Sequence, residues 1–318
     1  MNNEIRLLDA SLLGDVAKLR EIDHWLSVFN WPNGWHYDLD IIWILKNIED
    51  LNLPKGSVIV DAGAGLGMTQ FILAARGYNV ISLDFTRREI PKFAQGIFEI
   101  TVVDRDLGEY EHEYMEWMKY GKKENFAITS LHYFNKCVSA LRKPHRTIYI
   151  ISTKLNNIFN VNYRMEKRKN HDGFGTITFL RGTFNNIPLE SESADLLISV
   201  SAFEHNAYED MPGSVIEFDR VLKKRAWMLI TTSAAEEKDW YFKPCKGWNF
   251  SYHTLYQLFN IEPEHPYAYD QILDAIKNNK LLKSRISPFY RFNGENGLPF
   301  AKLDEAKFVP VGIKKRKE

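Results

Sequence analysis

Residues 58–84 run VIVDAGAGLGMTQFILAARGYNVISLD. The β-branched trio Val58, Ile59 and Val60 ends on Asp61, and the spacing Gly63-x-Gly65-x-Gly67 follows at once. Met68 to Arg76 has helical character, and Gly77 stands where a left-handed residue would stop that helix. A second apolar run, Val80 to Leu83, ends on Asp84. Strand, glycine loop, helix and strand make half of a doubly wound sheet, with a nucleotide-type site at the strand ends. Glycines let the backbone turn tightly and come close to a ligand. Asp84, just past the second strand, is placed to accept hydrogen bonds from two ribose hydroxyls.

A dinucleotide site would want G-x-G-x-x-G, with a pyrophosphate on the helix N-terminus. Here Asp61 lies two residues ahead of the first glycine. A carboxylate beside a pyrophosphate repels it; beside a ligand ammonium it attracts it. Framed by VIVD and NVISLD, the motif resembles motif I of the class I S-adenosylmethionine-dependent methyltransferases. The resemblance implies S-adenosyl-L-methionine as cofactor. Its amino-acid end would be wrapped by Gly63, Gly65 and Gly67 beside Asp61, and its ribose held by Asp84. It also implies an α/β fold, a Rossmann-like doubly wound sheet of seven strands, mostly parallel with the last strand antiparallel.

A second block carries the same resemblance. Thr176–Arg181 reads as the third core strand and Ala194–Ser199 as the fourth. Gly182 to Leu189, Ser193, Asp195 and the pair Glu204-His205 resemble the family's G-D-x-x-x-L-P, S-x-D and E-H pattern. Relatives place an acid after that glycine to cap the adenine amino group; this chain has Thr183, whose hydroxyl can still accept a hydrogen bond. Phe184 would lie near the adenine ring, and Ser199 completes the expected cofactor set at the strand end. An aromatic segment ahead of motif I often closes over the methionine end, which makes Tyr37, beside Trp35 and His36, a further cofactor candidate; packing of the N-terminal helices is the alternative reading. Asp210 is set to N-cap a helix with an apolar face of Val215, Ile216, Phe218, Val221 and Leu222. Arg220 to Lys223 matches the family's R-V-L-K, but Lys224-Arg225-Ala226 replaces its P-G-G turn. Trp227–Thr232 is the fifth strand and Lys307–Ile313 the final antiparallel one.

The resemblance covers residues 35–86 and 176–232 and the last strand. Residues 1–56 are expected to form an N-terminal helical cap, 57–94 and 176–318 the methyltransferase core, and 95–175 an inserted subdomain. That insertion is charge-split, acidic over 104–116 and basic over 142–169. Glu113–Leu141 is expected to be mostly helical; Thr147–Ile151 suits a strand or the start of a buried helix.

Lys+Arg and Asp+Glu are both 41, so the net charge is zero, which disfavours nucleic acid or an anionic membrane as a partner held by global charge. The N-terminus lacks a basic head with an apolar core, and no apolar run approaches the ~20 residues of a membrane span. Cys137 and Cys245 show neither metal spacing nor a disulfide framework. A cytoplasmic enzyme without a metal is the expectation.

For the chemistry, the acceptor should lie over the ends of the fourth and fifth strands. Trp240, Tyr241, Phe242, Trp248 and Phe250 place five rings in eleven residues there, with Tyr252 just beyond. A Pro/Gly loop so rich in rings reads as an acceptor wall or lid, with Trp240, Tyr241, Trp248 and Tyr252 as substrate candidates; a cover for the sheet edge is the other reading. Ser251 would N-cap the next helix. His205 is the best candidate for a general base, because imidazole exchanges protons near neutral pH; Asp239, His253 and His36 are weaker ones. The aromatic wall and zero net charge favour O-methylation of a small-molecule or glycan acceptor. Two other readings stay open on the sequence: an NAD-dependent oxidoreductase of similar fold, and a non-catalytic methyltransferase-like scaffold that binds a partner.

Overall fold

Nine strands hydrogen-bond into one sheet in the computed structural model, which describes residues 2–31, 33–108, 160–242, 246–264, 268–286, 303 and 306–318. In chain order the strands are β1 (Glu4–Leu7), β2 (Val58–Ala62), β3 (Asn79–Asp84), β4 (Ile100–Val103), β5 (Ile177–Arg181), β6 (Ala194–Val200), β7 (Leu222–Ala234), β8 (Trp240–Phe242), β9 (Gly247–Asn249), β10 (Pro263–Glu264) and β11 (Val309–Arg316). The sheet order is β10-β1-β11-β7-β6-β2-β3-β5-β4, while β8 and β9 pair separately as an antiparallel hairpin. β2, β3, β5, β6 and β7 run parallel, and β11 lies antiparallel to both β7 and β1.

The doubly wound α/β sheet with its antiparallel last strand is as the sequence implies. Its extent is larger than seven strands, because β4 and β10 extend the two edges. Two of the added pairings correct the expected segment boundaries. Residues 4–7, expected inside a helical cap, alternate half-buried and buried and pair with β11. Residues 100–103, expected inside the insertion, add to β5 as a parallel edge strand. The helix Glu113–Leu141, the run Thr147–Ile151, Cys137 and Cys245 lie outside the described residues.

The chain steps from β2 outward to β3 and β5, then crosses back to β6 on the other side of β2. That reversal is the topological switch point, where doubly wound sheets open a crevice at their carboxyl ends. β2 is buried on both faces as far as Asp61, which sits in register with Ser82 and Ile198. Such two-sided burial is what a continuous β-branched run encodes in a parallel sheet.

Helices α1 (Val16–Phe29), α2 (Tyr37–Leu51) and α3 (Thr69–Ala75) cover the sheet. α1 and α2 each stop on an asparagine in the left-handed conformation, Asn30 at φ 51 and Asn52 at φ 49. α2 is buried almost all round, and a Cβ on Gly312 of β11 would lie 2.5 Å from the Trp43 ring, so only glycine admits that helix so close. Phe29 of α1 meets Phe71 of α3, and Trp25 and Phe29 reach Phe98 and Phe93 in the chain after β3; Phe29 and Phe93 are 4.6 Å apart and Phe98 stacks on Phe174 at 5.6 Å. Each ring so buried contributes about 1.5–3 kcal/mol.

Further on come α4 (Val161–Glu166), α5 (Met211–Val221), α6 (Tyr252–Phe259), α7 (Tyr269–Lys277) and α8 (Lys280–Arg285). α5 buries Val215, Phe218 and Val221 as expected, but Ile216 is 71% exposed, one step off the stripe. Pro212 occupies the first turn of α5, whereas the Asp210 side chain makes no capping bond. The missing P-G-G turn is not replaced by another: β7 begins directly after Val221, Arg225 takes up the irregularity at φ 62, and the register against β6 shifts between Ala194 and Leu196. Ser251 caps α6 by accepting from the Thr254 amide. Among the described residues no helix is long and apolar enough to cross a membrane.

Candidate active site

A cleft of about 330 Å³ opens at the carboxyl ends of β2, β3, β5 and β6. Gly63, Asp84, Thr183, Phe184 and His205 line it, with Phe85, Leu107 and Asp210. Gly63 sits at φ +75, and a Cβ there would lie 2.5 Å from the Ala202 Cβ and 2.8 Å from the Phe184 ring. The glycine therefore lets the loop lie against the ends of two neighbouring strands and leaves a floor of bare backbone.

Asp84 is 8% exposed and ties the loop together. Oδ2 accepts from the Gly65 amide at 2.7 Å, and Oδ1 accepts from the amide and hydroxyl of Thr86 at 2.8 and 2.6 Å. Each carboxylate oxygen has two lone pairs, so Oδ1 is saturated and Oδ2 keeps one for another donor. Gly65 and Gly67 do not line the cleft; they shape the turn behind it, with Gly65 at φ +49 and the Gly67 amide donating to the Ala64 carbonyl at 2.7 Å.

Under this turn lies a network the sequence reading missed. Arg88 donates to the Gly65 carbonyl at 2.8 Å, to the hydroxyl and carbonyl of Ser82, and to the Leu180 carbonyl at 3.3 Å, with its guanidinium over Phe179. Gln70 donates to the Gly67 carbonyl at 2.8 Å and accepts from Ser82 Oγ. The one readable signal was Asp84-x-Thr86, the spacing of an Asx turn, which implies a stiff loop after β3.

Asp61 is 2% exposed, and its carboxylate makes no hydrogen bond among the described residues. Burial pushes its pKa up to about 7; the Arg88 guanidinium pulls it down and the Asp84 charge adds to the rise. It is not among the residues that line the cleft.

Thr183 places its hydroxyl in the cleft region, buried and without a hydrogen-bond partner. Phe184 lines the cleft and packs edge-on against Phe218 at 5.4 Å. Ser199 is fully buried inside β6 and lines neither cavity.

A second, smaller cavity of about 30 Å³ adjoins the cleft, and His205 lines both. Its other walls include His36, Tyr37, Glu204, Trp248 and Asn249. Tyr37 therefore faces this cavity and not the main cleft. His205 is exposed, and its Nδ1 lies 3.0 Å from the Lys246 carbonyl. A carbonyl only accepts, so Nδ1 carries the proton and Nε2 holds the lone pair in the neutral ring. His36 is buried, with Nδ1 2.7 Å from Asp40.

The aromatic loop is the β8–β9 hairpin, docked on the end of β7 through the Phe250 amide and carbonyl. Asp239 fastens it, accepting from Tyr208 Oη, Thr254 Oγ1 and the Ser251 amide at 2.5–2.6 Å. Burial works to raise the Asp239 pKa, but these bonds outweigh it and hold the pKa below the ordinary carboxylate value. Of the four expected substrate residues Trp248 lines the small cavity and the other three line neither of these two; Trp240 packs on Phe242, Tyr241 is 46% exposed, and Tyr252 turns a partnerless hydroxyl into the protein.

A bare-backbone cradle at Gly63, an open lone pair on Asp84 and a buried donor–acceptor at Thr183 suit a ligand with a flat ring and a hydroxylated sugar. A family model described as a methyltransferase domain matches residues 136–230. No curated protein matches the chain. Similar solved structures include a phosphoethanolamine N-methyltransferase 2 from Haemonchus contortus with phosphomonomethylethanolamine and S-adenosylhomocysteine (12% identity, TM-score 0.44, covering 93% of this chain and 57% of that one). Another is a 1,6-didemethyltoxoflavin-N1-methyltransferase from Burkholderia thailandensis with its substrate and S-adenosylhomocysteine (10% identity, TM-score 0.39, 96% and 89% covered). A third is a methyltransferase dependent on the same cofactor from Methanosarcina mazei (12% identity, TM-score 0.39, 85% and 96% covered). Over residues 136–230 the chain is similar to a methyltransferase domain, and its doubly wound sheet carries a glycine loop at the switch point.

Proposed function

We propose that the enzyme methylates a hydroxyl group of a small-molecule or glycan acceptor, with His205 taking up the hydroxyl proton. The observation that carries this reading is the place of His205, whose ring borders both cavities while a carbonyl fixes its tautomer. In this reading Asp84 Oδ2 accepts from a ribose hydroxyl and Thr183 meets the adenine edge beside Phe184. Gly63 gives the cofactor its closest backbone approach, and the Asp61 charge attracts the ammonium of the amino-acid end, which the turn of Gly65 and Gly67 wraps. When bound, S-adenosylmethionine supplies a methyl group on a positively charged sulfur.

The chain's own groups do the rest. Tyr37 and Trp248 shut water out of the transfer point, which keeps the hydroxyl from being solvated. A neutral hydroxyl is a weak nucleophile until its proton has somewhere to go; Nε2 of His205 accepts it, a contribution of about 10²–10⁴-fold in rate.

Incubating purified protein with carbon-13 methyl-labelled cofactor and fractionated metabolite and glycan extracts tests this. Fragmentation should place the label on oxygen, and His205→Asn should lower kcat while leaving S-adenosylhomocysteine affinity unchanged. Label on nitrogen or carbon sinks the hydroxyl assignment; normal kcat in His205→Asn removes the base.

A further inference from the structure

The small cavity beyond His205 has walls whose chemistry points to one kind of group. Glu204 is 4% exposed and accepts from Ser201 Oγ at 2.7 Å and Thr232 Oγ1 at 3.0 Å, which leaves a lone pair on each oxygen. Among the described residues no lysine or arginine pairs with it. Asp40, 1% exposed, adds a second carboxyl, which His36 Nδ1 meets at 2.7 Å. Burial raises the Asp40 pKa, and the Glu204 charge raises it further, so the two acids feel one another. The uncompensated negative charge of this corner therefore rests on Glu204.

Asn249 supplies an independent sign. It is 2% exposed, lines the same cavity, and donates through Nδ2 to the Trp240 carbonyl at 3.4 Å. That carbonyl can only accept, which fixes the amide orientation. Its Oδ1 is buried and has no hydrogen-bond partner. A buried acceptor left unmade costs about 1–3 kcal/mol, so a donor is missing from the cavity.

Rings of Tyr37, Phe242, Trp248 and Phe308 complete the wall. Aromatic faces attract cations. At about 30 Å³ the space takes a group about the size of water, and no ring of its own. A primary ammonium has that size, one positive charge, three N–H donors and no acceptor.

We infer that the small cavity seats a primary ammonium group of the acceptor, held by Glu204 and Asn249, so that the substrate is an amino alcohol or amino sugar. The inference rests on the reading that a hydroxyl is methylated beside His205, and it deepens that reading. An ammonium has no lone pair, so while seated it is an anchor and the neighbouring hydroxyl is the nucleophile.

Ethanolamine and ethylene glycol differ only in an ammonium for a hydroxyl and serve as probes. Their affinities for the protein saturated with S-adenosylhomocysteine are measured by NMR titration at neutral pH, with S-adenosylhomocysteine affinity measured by calorimetry on the same sample. Ethanolamine should bind about ten-fold more tightly or better. Glu204→Gln and Asn249→Leu should each remove most of that ratio without changing S-adenosylhomocysteine affinity. Equal binding of the two probes by the wild-type protein overturns the inference, whatever the variants do, and so does an unchanged ratio in folded variants. Loss of amine preference with normal S-adenosylhomocysteine binding leaves the methyltransferase reading standing; absence of S-adenosylhomocysteine binding overturns both.

Discussion

Lowering the pH through neutrality should weaken cofactor binding through one residue, Asp61. Its carboxyl is buried, has no hydrogen bond among the described residues, and has its pKa pushed up from 3.8 to about 7 by burial. If the ionised form faces the ammonium of the cofactor's amino-acid end, binding requires the proton to leave. Apparent affinity for S-adenosylhomocysteine should then fall about ten-fold between about pH 8 and about pH 6. Methylthioadenosine has the same adenosine but no amino acid, so its affinity should stay flat across that range. Asp61→Asn should bind S-adenosylhomocysteine more weakly and without the pH slope. Calorimetry with both ligands on both proteins separates Asp61 from the histidines of the site. An equal slope for the two ligands, or a slope that survives in Asp61→Asn, refutes the contact.

The same group affects stability with the opposite sense. The folded protein holds this proton up to about pH 7, whereas the unfolded chain releases it near 3.8. Between those values the folded state binds more protons, so stability falls as pH rises, by roughly 4 kcal/mol in all, and no further above about pH 7. Saturating S-adenosylhomocysteine should offset that loss, because its ammonium stabilises the ionised form. Melting temperatures of the apo and liganded protein should therefore diverge as pH rises.

Much of the sheet was legible because its signals are local. Residues 58–84 carry β-branched runs, a glycine turn and a stop glycine, and β2, α3 and β3 fall within a residue or so of the expected ends. Glu4 to Leu7 was not legible: a four-residue strand borders a long helical pattern, and only pairing with β11, some three hundred residues away, makes it a strand. Ile100 to Val103 did carry a β-branched signal, obscured by the length of the insertion around it. In the site, Asp84 and Gly63 were readable from motif spacing. Arg88 was not, because its meaning depends on carbonyls supplied by three strands or loops. Ring density drew attention to the hairpin but could not say which rings reach a cavity. Tyr241 and Trp248 pair on one face of the hairpin, and only the fold around them separates the two: Tyr241 is 46% exposed while Trp248 lines the small cavity. Glu204 and Asn249 lie 45 positions apart and meet only because the hairpin folds back onto β7.

Asp84→Ala should cost about 1–3 kcal/mol of S-adenosylhomocysteine affinity, and the melting temperature should fall as well because three loop bonds are lost; normal affinity in a folded variant would refute the ribose assignment. Gly63→Ala forces alanine to φ +75, about 1–2 kcal/mol of backbone strain, into contact with Ala202 and Phe184, and should raise the cofactor Kd; Gly56→Ala, at φ +82 with open space around it, should cost stability alone. Trp248 tests whether the small cavity takes the acceptor. Its ring lines that cavity and packs between Tyr208 at 4.8 Å and Tyr241 at 5.1 Å, but it does not line the main cleft. Trp248→Ala should therefore raise the acceptor KM or lower kcat while S-adenosylhomocysteine affinity stays the same. Because the ring is half-buried against exposed neighbours, the melting temperature should fall less than the 3–5 kcal/mol typical of a core tryptophan would require. Asp239, anchored by three hydrogen bonds, holds the hairpin in place without the ring, so the loss stays local. A variant with a sharply lowered melting temperature and normal acceptor kinetics per folded molecule would show that Trp248 is part of the sheet's cover and not of the acceptor site.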